Sequence, residues 1–207
     1  MTKYLIALLL SALSLSCFAQ SPIAQVYPVV GYIGAKKSEF SPQSNIALFY
    51  LNGIDSKYSL TYEISIYKWT DKGLEATEDL MVFPPIKKVE IGKKYPIKVI
   101  SKIERTAIQK SYRIVFTQKE LVDPNNKSTV AIPFSFSIPL FVEPLAQKEV
   151  AIESKYQDGI TYLKNNGNSM FRTATITIDN KEVNQLTYIL PNQQIEIKGH
   201  AVLGKEY

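Results

Sequence analysis

The stretch "STVAIPFSFSIPLFVEP", Ser128 to Pro144, decides the fold class of this chain. Every second residue from Val130 to Val142 is apolar, and this alternation predicts a long β-strand with one apolar face. The stretch also contains Pro133 and Pro139. Proline has no N–H to donate to a neighbouring strand, so it belongs at a sheet edge or a bulge. We therefore predict a long apolar strand that lies at the edge of a sheet.

Similar short β-patterns, separated by turn signals, fill the chain on both sides of this stretch. From Ile46 to Pro144 there are about seven of them, with turns every eight to twelve residues, as in an immunoglobulin-like sandwich. The part after Pro144 has strand patterns at Ile160–Lys164 and Thr173–Ile178, and we find no amphipathic helix of useful length. The predicted fold class is all-β, with two immunoglobulin-like sandwiches of which the second is small or incomplete.

The first residues read as a secretory signal. Lys3 precedes an apolar run, and "CFA" ends at Ala19 with small residues where a signal peptidase cuts. We predict a signal peptide over residues 1–19, a first domain over 20–143 and a second domain over 144–207. A membrane anchor is disfavoured because the apolar run is shorter than the ~20 residues that a span needs. A lipid anchor on Cys17 is a weaker alternative.

Composition excludes several classes of function. Cleavage would remove Lys3 and leave 24 − 1 = 23 basic residues against 19 acidic ones. The basic residues are spread along the sequence and form no basic run with interleaved aromatic residues, so we predict no nucleic-acid binding. Cys17 is the only cysteine and His200 the only histidine, so we predict no metal site and no cofactor. With no nucleophile motif and no phosphate-binding loop, we predict no catalytic residues and no enzyme activity.

An apolar edge strand is an aggregation hazard unless it is meant to pair with another chain. In β-augmentation such a strand adds to a partner's sheet, and its alternate side chains fill a groove. The predicted inserting face consists of Val130, Ile132, Phe134, Phe136 and Ile138. An ordinary core strand of the sandwich would have the same pattern, and the pattern does not separate the two.

Six segments, taken in order, resemble the periplasmic chaperones of the chaperone–usher pathway, which assemble pili. They are "YEISIYKW", "FPPIKKVEIGKKYPIKV", "SYRIVFTQKEL", "FSFSIPLFVEP", "GITYLKNNGN" and "YILPNQQIEIK". The resemblance implies two immunoglobulin-like domains in an L and a periplasmic location. It also implies donor-strand complementation of pilus subunits, without a cofactor, and delivery of the subunits to an outer-membrane usher.

The resemblance further implies basic residues that hold the subunit's C-terminal carboxylate. Here Pro139 stands at or beside the position of the family's donor-strand lysine, and the "SIPLFV" form is more similar to the archaic or alternative branches. Arg113 is the first candidate for the anchor; the family's first-strand arginine has no clear equivalent here, and Lys36 or Lys37 is nearest to its position. An ordinary ion pair of Arg113 at the sheet edge is the alternative.

Two other classes of function stay open at this point. A secreted β-sandwich pilus subunit or adhesin would carry an N-terminal extension with alternating apolar residues, of which "SPIAQVYPVVGYIG" is a faint version. The linker near Pro144 and the second β-region argue against a single-domain subunit. A periplasmic enzyme would need a convergent catalytic cluster, and the sequence offers none.

Overall fold

The computed structural model describes residues 24–54, 59–122 and 134–206, and all its regular elements are strands. Ten strands precede residue 143: β1 (Ala24–Tyr27), β2 (Gly31–Ile33), β3 (Ile46–Gly53), β4 (Ser59–Thr70), β5 (Gly73–Ala76), β6 (Leu80–Phe83), β7 (Ile86–Val89), β8 (Lys94–Ser101), β9 (Lys110–Val122) and β10 (Ser135–Val142). Six follow it: β11 (Ile152–Gln157), β12 (Ile160–Asn165), β13 (Phe171–Ile178), β14 (Lys181–Ile189), β15 (Gln194–Lys198) and β16 (Ala201–Leu203).

Two sheets form the first sandwich. One has the order β1-β3-β8-β6, and the other has the order β2-β10-β9-β4-β5, with β7 also paired to β4. Alternate residues of the long strands face inward, as Ala47, Phe49 and Leu51 do on β3, and each of these is buried. Phe49 meets Phe116 of the opposite sheet edge to face, with ring centroids 6.4 Å apart. The first core is therefore continuous between the two sheets.

The chain changes sheets at two prolines. Tyr27-Pro28, between β1 and β2, and Phe83-Pro84, between β6 and β7, are both cis peptide bonds. After the first of these, β2 leaves the sheet of β1 and runs parallel to β10 in the other sheet. Gly31 opens β2 because a Cβ there would lie 2.3 Å from Cζ of Phe49. The sheet change places β2 beside the last part of β10.

The second sandwich is smaller. It consists of two three-stranded sheets, β11-β12-β15 and β14-β13-β16. Its buried apolar cluster contains Leu163, Phe171 and Ile189, with half-buried neighbours such as Ile152 and Ile197. The predicted fold class, all-β with two immunoglobulin-like sandwiches and a small second one, is confirmed. The described residues also contain no helix that is long and apolar enough to cross a membrane.

Hydrogen bonds of the main chain and of side chains join the two sandwiches and hold the connection between them. The Gln109 N–H donates to the Asn168 carbonyl at 2.9 Å, and the Met170 N–H donates to Oε1 of Gln109 at 2.9 Å. Arg105 donates to the carbonyl oxygens of Glu143 (2.9 Å from Nε) and Pro144, which follow β10. The connection after β10 is thus held by residues that precede β9.

Candidate functional site

β10 has one fully paired side and one partly open side. β9 pairs with it along its whole length, Ser135–Val142. On the other side, β2 pairs with it only from Leu140 onward. No strand of the described residues covers that side between Ser135 and Pro139. The edge position predicted for Pro139 is therefore confirmed, whereas Pro133 lies outside the described residues.

In this open segment, the main-chain N–H and carbonyl groups of every second residue point away from β9. The carbonyl of Phe134 accepts a hydrogen bond from the Gln118 N–H at 3.2 Å, so even-numbered residues of β10 face β9 and odd-numbered ones face outward. Glu143, also odd-numbered, donates its N–H to the Ile33 carbonyl at 2.8 Å on the β2 side. The outward residues of the open segment are Ser135, Ser137 and Pro139. Since proline lacks an N–H, the row of outward donors stops where β2 begins.

The even-numbered side chains pass from core to surface along this segment. Ile138 is only 7% exposed and belongs to the first core. Phe136 is half-buried, with its ring centroid 6.2 Å from that of Tyr62, and Phe134 is 38% exposed. Of the predicted inserting residues, Phe134 and Phe136 are thus accessible, while Ile138 holds the strand in its own domain. Two others, Val130 and Ile132, lie outside the described residues.

Arg113 reaches the open edge from β9. It is paired with Pro139 in the ladder, and its Nη1 donates to the outward carbonyl of Ser137 at 3.2 Å. Its guanidinium lies 3.9 Å from the ring centroid of Trp69 and 5.9 Å from that of Tyr188. Because Tyr188 belongs to β14, both sandwiches contribute to the position of this cation.

Among the described residues, the charge of Arg113 lies against aromatic rings and forms no ion pair. Burial lowers the pKa of Arg113, but a guanidinium stays protonated at neutral pH. In the described parts of the chain, no carboxylate forms an ion pair with it, so the ion-pair alternative finds no support there. Stacking on aromatic faces offsets part of the desolvation. A half-buried cation at the end of an open strand edge is suited to an anion brought by another molecule.

Lys36 and Lys37 do not share this environment. Both are exposed and follow β2, where Ile33 is already level with Val142 of β10. Because β2 runs parallel to β10, the chain has passed the level of Pro139 before it reaches these lysines. The structure therefore brings Arg113, and not this lysine pair, to the outward end of the open segment.

Sequence reasoning missed the aromatic platform under Arg113. Trp69 lies 5.4 Å from Tyr188 and 6.4 Å from Phe141 between ring centroids. Trp69 also borders a cleft of about 540 Å³ between the sandwiches, whose far wall includes Leu190 and Pro191. Nothing local in the sequence pairs residue 69 with residue 188, since the contact depends on how the two domains meet.

Neither a protein-family model nor a curated protein matches this chain. Its structure is similar to that of the chaperone in the CsuC–CsuE chaperone–tip subunit complex of archaic Csu pili from Acinetobacter baumannii, with a TM-score of 0.65 and 18% identity over 85% of this chain and 90% of that one. For the SafB chaperone bound to SafA pilin from Salmonella enterica, the TM-score is 0.69 and the identity is 12%, over 87% of this chain and 86% of that one. For the E. coli chaperone DraB, the TM-score is 0.63 and the identity is 16%, over 84% of this chain and 84% of that one. The chain thus has the two-sandwich fold of these pilus chaperones.

Proposed function

We propose that this protein is a periplasmic chaperone that binds pilus subunits by donor-strand complementation and delivers them to an outer-membrane usher. The observation that carries the proposal is the open edge of β10, which presents Phe134 and Phe136 and ends at Arg113, a cation without an ion pair among the described residues. The fold it shares with known pilus chaperones supports the same function. The periplasmic location, with a signal peptide cleaved after Ala19, belongs to the proposal, because residues 1–23 lie outside the described ranges.

The open segment of β10 offers the main-chain hydrogen-bonding groups and the apolar side chains that a subunit lacking one strand needs. Ser135 and Ser137 offer outward N–H and carbonyl groups for a ladder with a bound subunit. Phe134 and Phe136 lie on the same face as the first core, and their exposure rises toward the open end. The interior of an incomplete sandwich would cover them, and each could contribute ~1.5–3 kcal/mol before the cost of ordering.

The end of the open segment sets the direction of the bound strand. A strand parallel to β10 would place its C-terminal carboxylate level with Pro139, where β2 blocks further pairing and Arg113 lies. An antiparallel strand would place an ammonium or a continuing chain there, against the guanidinium. We therefore propose that the subunit's last strand runs parallel to β10 and that its carboxylate is held by Arg113. Such a bond is worth about 1.5–3 kcal/mol.

Lys36 and Lys37 remain secondary candidates for the same carboxylate. Their exposed positions beyond β2 favour a solvated role, and they would need a rearrangement of the chain after Ile33 to reach Pro139. A variant in which both lysines are replaced by glutamine is therefore a suitable comparison for Arg113→Gln.

The test is co-expression in the periplasm with each small, β-rich secreted protein encoded beside this gene, followed by isolation of a 1:1 complex. Phe134→Asp and Phe136→Asp should abolish the complex, because each would place a charge inside the subunit's groove. The control is Leu186→Asp, which puts the same charge on an exposed leucine of β14. All variants should keep the β-rich circular dichroism spectrum.

Arg113→Gln should weaken the complex about tenfold or more, while the lysine double variant should leave it nearly unchanged. A complex that tolerates both aspartate variants would make β10 an ordinary strand. The pilus subunit or adhesin would then be the better assignment, and the presence of this chain in sheared pili would support it.

A further inference from the structure

The guanidinium of Arg113 crosses β10 to reach the open edge. The main chain of Arg113 lies on β9, where it pairs with Pro139, yet Nη1 donates to the outward carbonyl of Ser137 at 3.2 Å. That bond uses one of the five N–H groups of a guanidinium, and the side chain must stay extended over β10 to present the fork at the edge. Arginine has many rotamers, so holding it in one of them before a partner arrives lowers the cost of binding.

Trp69 supplies the surface on which this guanidinium lies. Its ring centroid is 3.9 Å from Cζ of Arg113, well within the ~6 Å that a cation–π contact allows. Trp69 stands near the end of β4 and is half-buried. The ring can hold the guanidinium in place only if the ring itself is held.

The ring of Trp69 is held from the second sandwich. Tyr188 of β14 meets it edge to face, with ring centroids 5.4 Å apart and ring planes at 67°, and stacks on Phe141 of β10 at 6.3 Å. The neighbours of Tyr188 on β14, Thr187 and Ile189, are both buried, so the alternation of the strand turns the tyrosine ring toward the first sandwich. The same ring centroid lies 5.9 Å from the guanidinium carbon, at the outer limit of a cation–π contact.

We propose that Tyr188 is a positioning residue for the carboxylate site. Through Trp69 it fixes the guanidinium of Arg113 at the open edge, so that recognition of a free chain end requires the second sandwich as well as the first. This inference rests on the proposed function, in which Arg113 holds the carboxylate of the subunit's last strand. The ladder and the two exposed phenylalanines of β10 belong to the first sandwich, whereas selectivity for a terminal carboxylate depends on the contact between the two sandwiches.

The test measures selectivity for the chain end, which strand pairing alone does not provide. The subunit captured by co-expression supplies the probe, a synthetic peptide of about ten residues that copies its last strand. The peptide is made once with a free C-terminal carboxylate and once with a C-terminal amide, which keeps the length and removes the charge. Calorimetry gives both dissociation constants for each variant of the full chain, and the ratio of the two is the readout.

Tyr188→Leu removes the ring, and Tyr188→Phe keeps it. We expect the unchanged protein and Tyr188→Phe to bind the carboxylate peptide about tenfold more tightly than the amide peptide. In Tyr188→Leu this ratio should fall below about threefold, while the affinity for the amide peptide stays nearly the same. Tyr156→Leu is the matched control and should keep the tenfold ratio, because Tyr156 is a half-exposed tyrosine of β11 in the same sandwich, with its ring against His200.

Two further variants distinguish this effect from a loss of folding. Trp69→Leu changes the same contact from the first sandwich and should lower the ratio as Tyr188→Leu does. In an Arg113→Gln background, where the ratio should already be near one, Tyr188→Leu should lower it no further, because Tyr188 acts through the arginine.

A purely structural role of Tyr188 would lower the midpoint of thermal unfolding and weaken the binding of both peptides by the same factor. An unchanged ratio of this kind would overturn the inference and leave the proposed function intact. If the unchanged protein shows no preference, or if Arg113→Gln keeps the preference, the anchor itself is wrong and the inference fails with it. If the unchanged protein captures no subunit, the proposed function fails, and no carboxylate site remains for Tyr188 to position.

Discussion

The two sandwiches share a fold class but differ in what holds them together. The first has a large apolar cluster in which Phe49, Phe116 and many aliphatic neighbours are fully buried. In the second, the cluster among the described residues consists of Leu163, Phe171 and Ile189, and Ile176, Leu190 and Ala201 are buried outside it. A domain with a deep core can leave part of one strand unpaired and remain folded, and the first sandwich does this at β10. The smaller domain has less hydrophobic burial to spare.

Hydrogen-bonded buried polar side chains contribute to the stability of the second sandwich. Thr161, Asn165 and Thr173 are all buried there, and each has a hydrogen-bond partner. Such networks stabilise a fold only when every member is satisfied. The comparison teaches that the first domain should respond most to the loss of apolar volume and the second to the loss of single polar side chains.

The largest expected effect is in the first core. Phe49→Ala should lower the free energy of unfolding by about 3–5 kcal/mol, because it leaves a cavity opposite Phe116 and beneath Gly31. Urea unfolding, followed by the fluorescence of Trp69, measures this loss. Leu74→Ala, at a half-exposed position of β5, is the control and should change stability by less than about 0.5 kcal/mol. An equally small effect of Phe49→Ala would contradict the deep-core description.

An intermediate effect is expected from a polar residue of the second sandwich. Asn165 is fully buried, and its Nδ2 donates to the carbonyls of Ser169 (2.8 Å) and Ile189 (3.0 Å), while its Oδ1 accepts from the Gly167 N–H. Asn165→Ala would leave these groups unpaired and should cost about 1–3 kcal/mol. Asn166→Ala is the adjacent control, since that side chain is exposed.

Hydrogen exchange of peptides from each domain tells whether the Asn165→Ala loss stays local. Protection should fall in β12 and β13 and remain unchanged in β3 and β9. Equal loss in both sandwiches would mean that they unfold as one unit, and the comparison between them would then need revision.

The smallest expected effect is a loss of folding stability at alkaline pH, and it arises in the first domain. Burial raises the pKa of Tyr62 to about 12 from 10.0, so the folded protein keeps this phenol neutral where the unfolded chain ionises it. The stability that follows is fully present below pH 10 and is lost as the pH rises toward 12. By pH 10.5 the loss from Tyr62 should be about 1 kcal/mol.

Urea unfolding at pH 9 and at pH 10.5 checks this expectation. Tyr62→Phe, which cannot ionise, should lose less stability between the two values than the unchanged protein. Tyr112 contributes in the same direction, because burial and a 2.7 Å hydrogen bond to Asp79 also raise its pKa. A pH dependence that Tyr62→Phe leaves unaltered would place the alkaline sensitivity on other groups.

The sequence was sufficient for the fold class because alternation is a local property. The apolar alternation along β4 and β9 matches the burial seen in the structure, whereas β10 alternates only as far as Ile138 and then buries every residue to Val142. The parallel pairing of β2 with β10 could not be predicted. It depends on the sheet change after Tyr27, which brings together segments more than a hundred residues apart.

The candidate site was predicted only in part. Phe134 and Phe136 followed from alternation, whereas the burial of Ile138 depends on how far β10 reaches into its own core. The position of Gln118, whose Oε1 accepts a hydrogen bond from the Phe134 N–H at 3.0 Å at the start of the open segment, was missed, although a signal existed. In "SYRIVFTQ" the inward residues are Tyr112, Ile114 and Phe116, and the next inward position holds a polar glutamine. A polar residue that continues an inward apolar series is a local departure from the pattern, and here its side chain bonds the main chain of Phe134.

Pro139 marks the end of the free edge of β10, because β2 pairs with β10 from Leu140 onward. Within the described residues, pairing along the open edge of β10 can reach Pro139 but cannot pass it, since β2 occupies the edge from Leu140. Under the proposed function, a subunit strand whose carboxylate is held by Arg113 could not continue along β10 with additional C-terminal residues. Affinity tags on co-expressed subunits should therefore be placed at the N-terminus, because a C-terminal tag would abolish capture for reasons unrelated to the subunit's own groove.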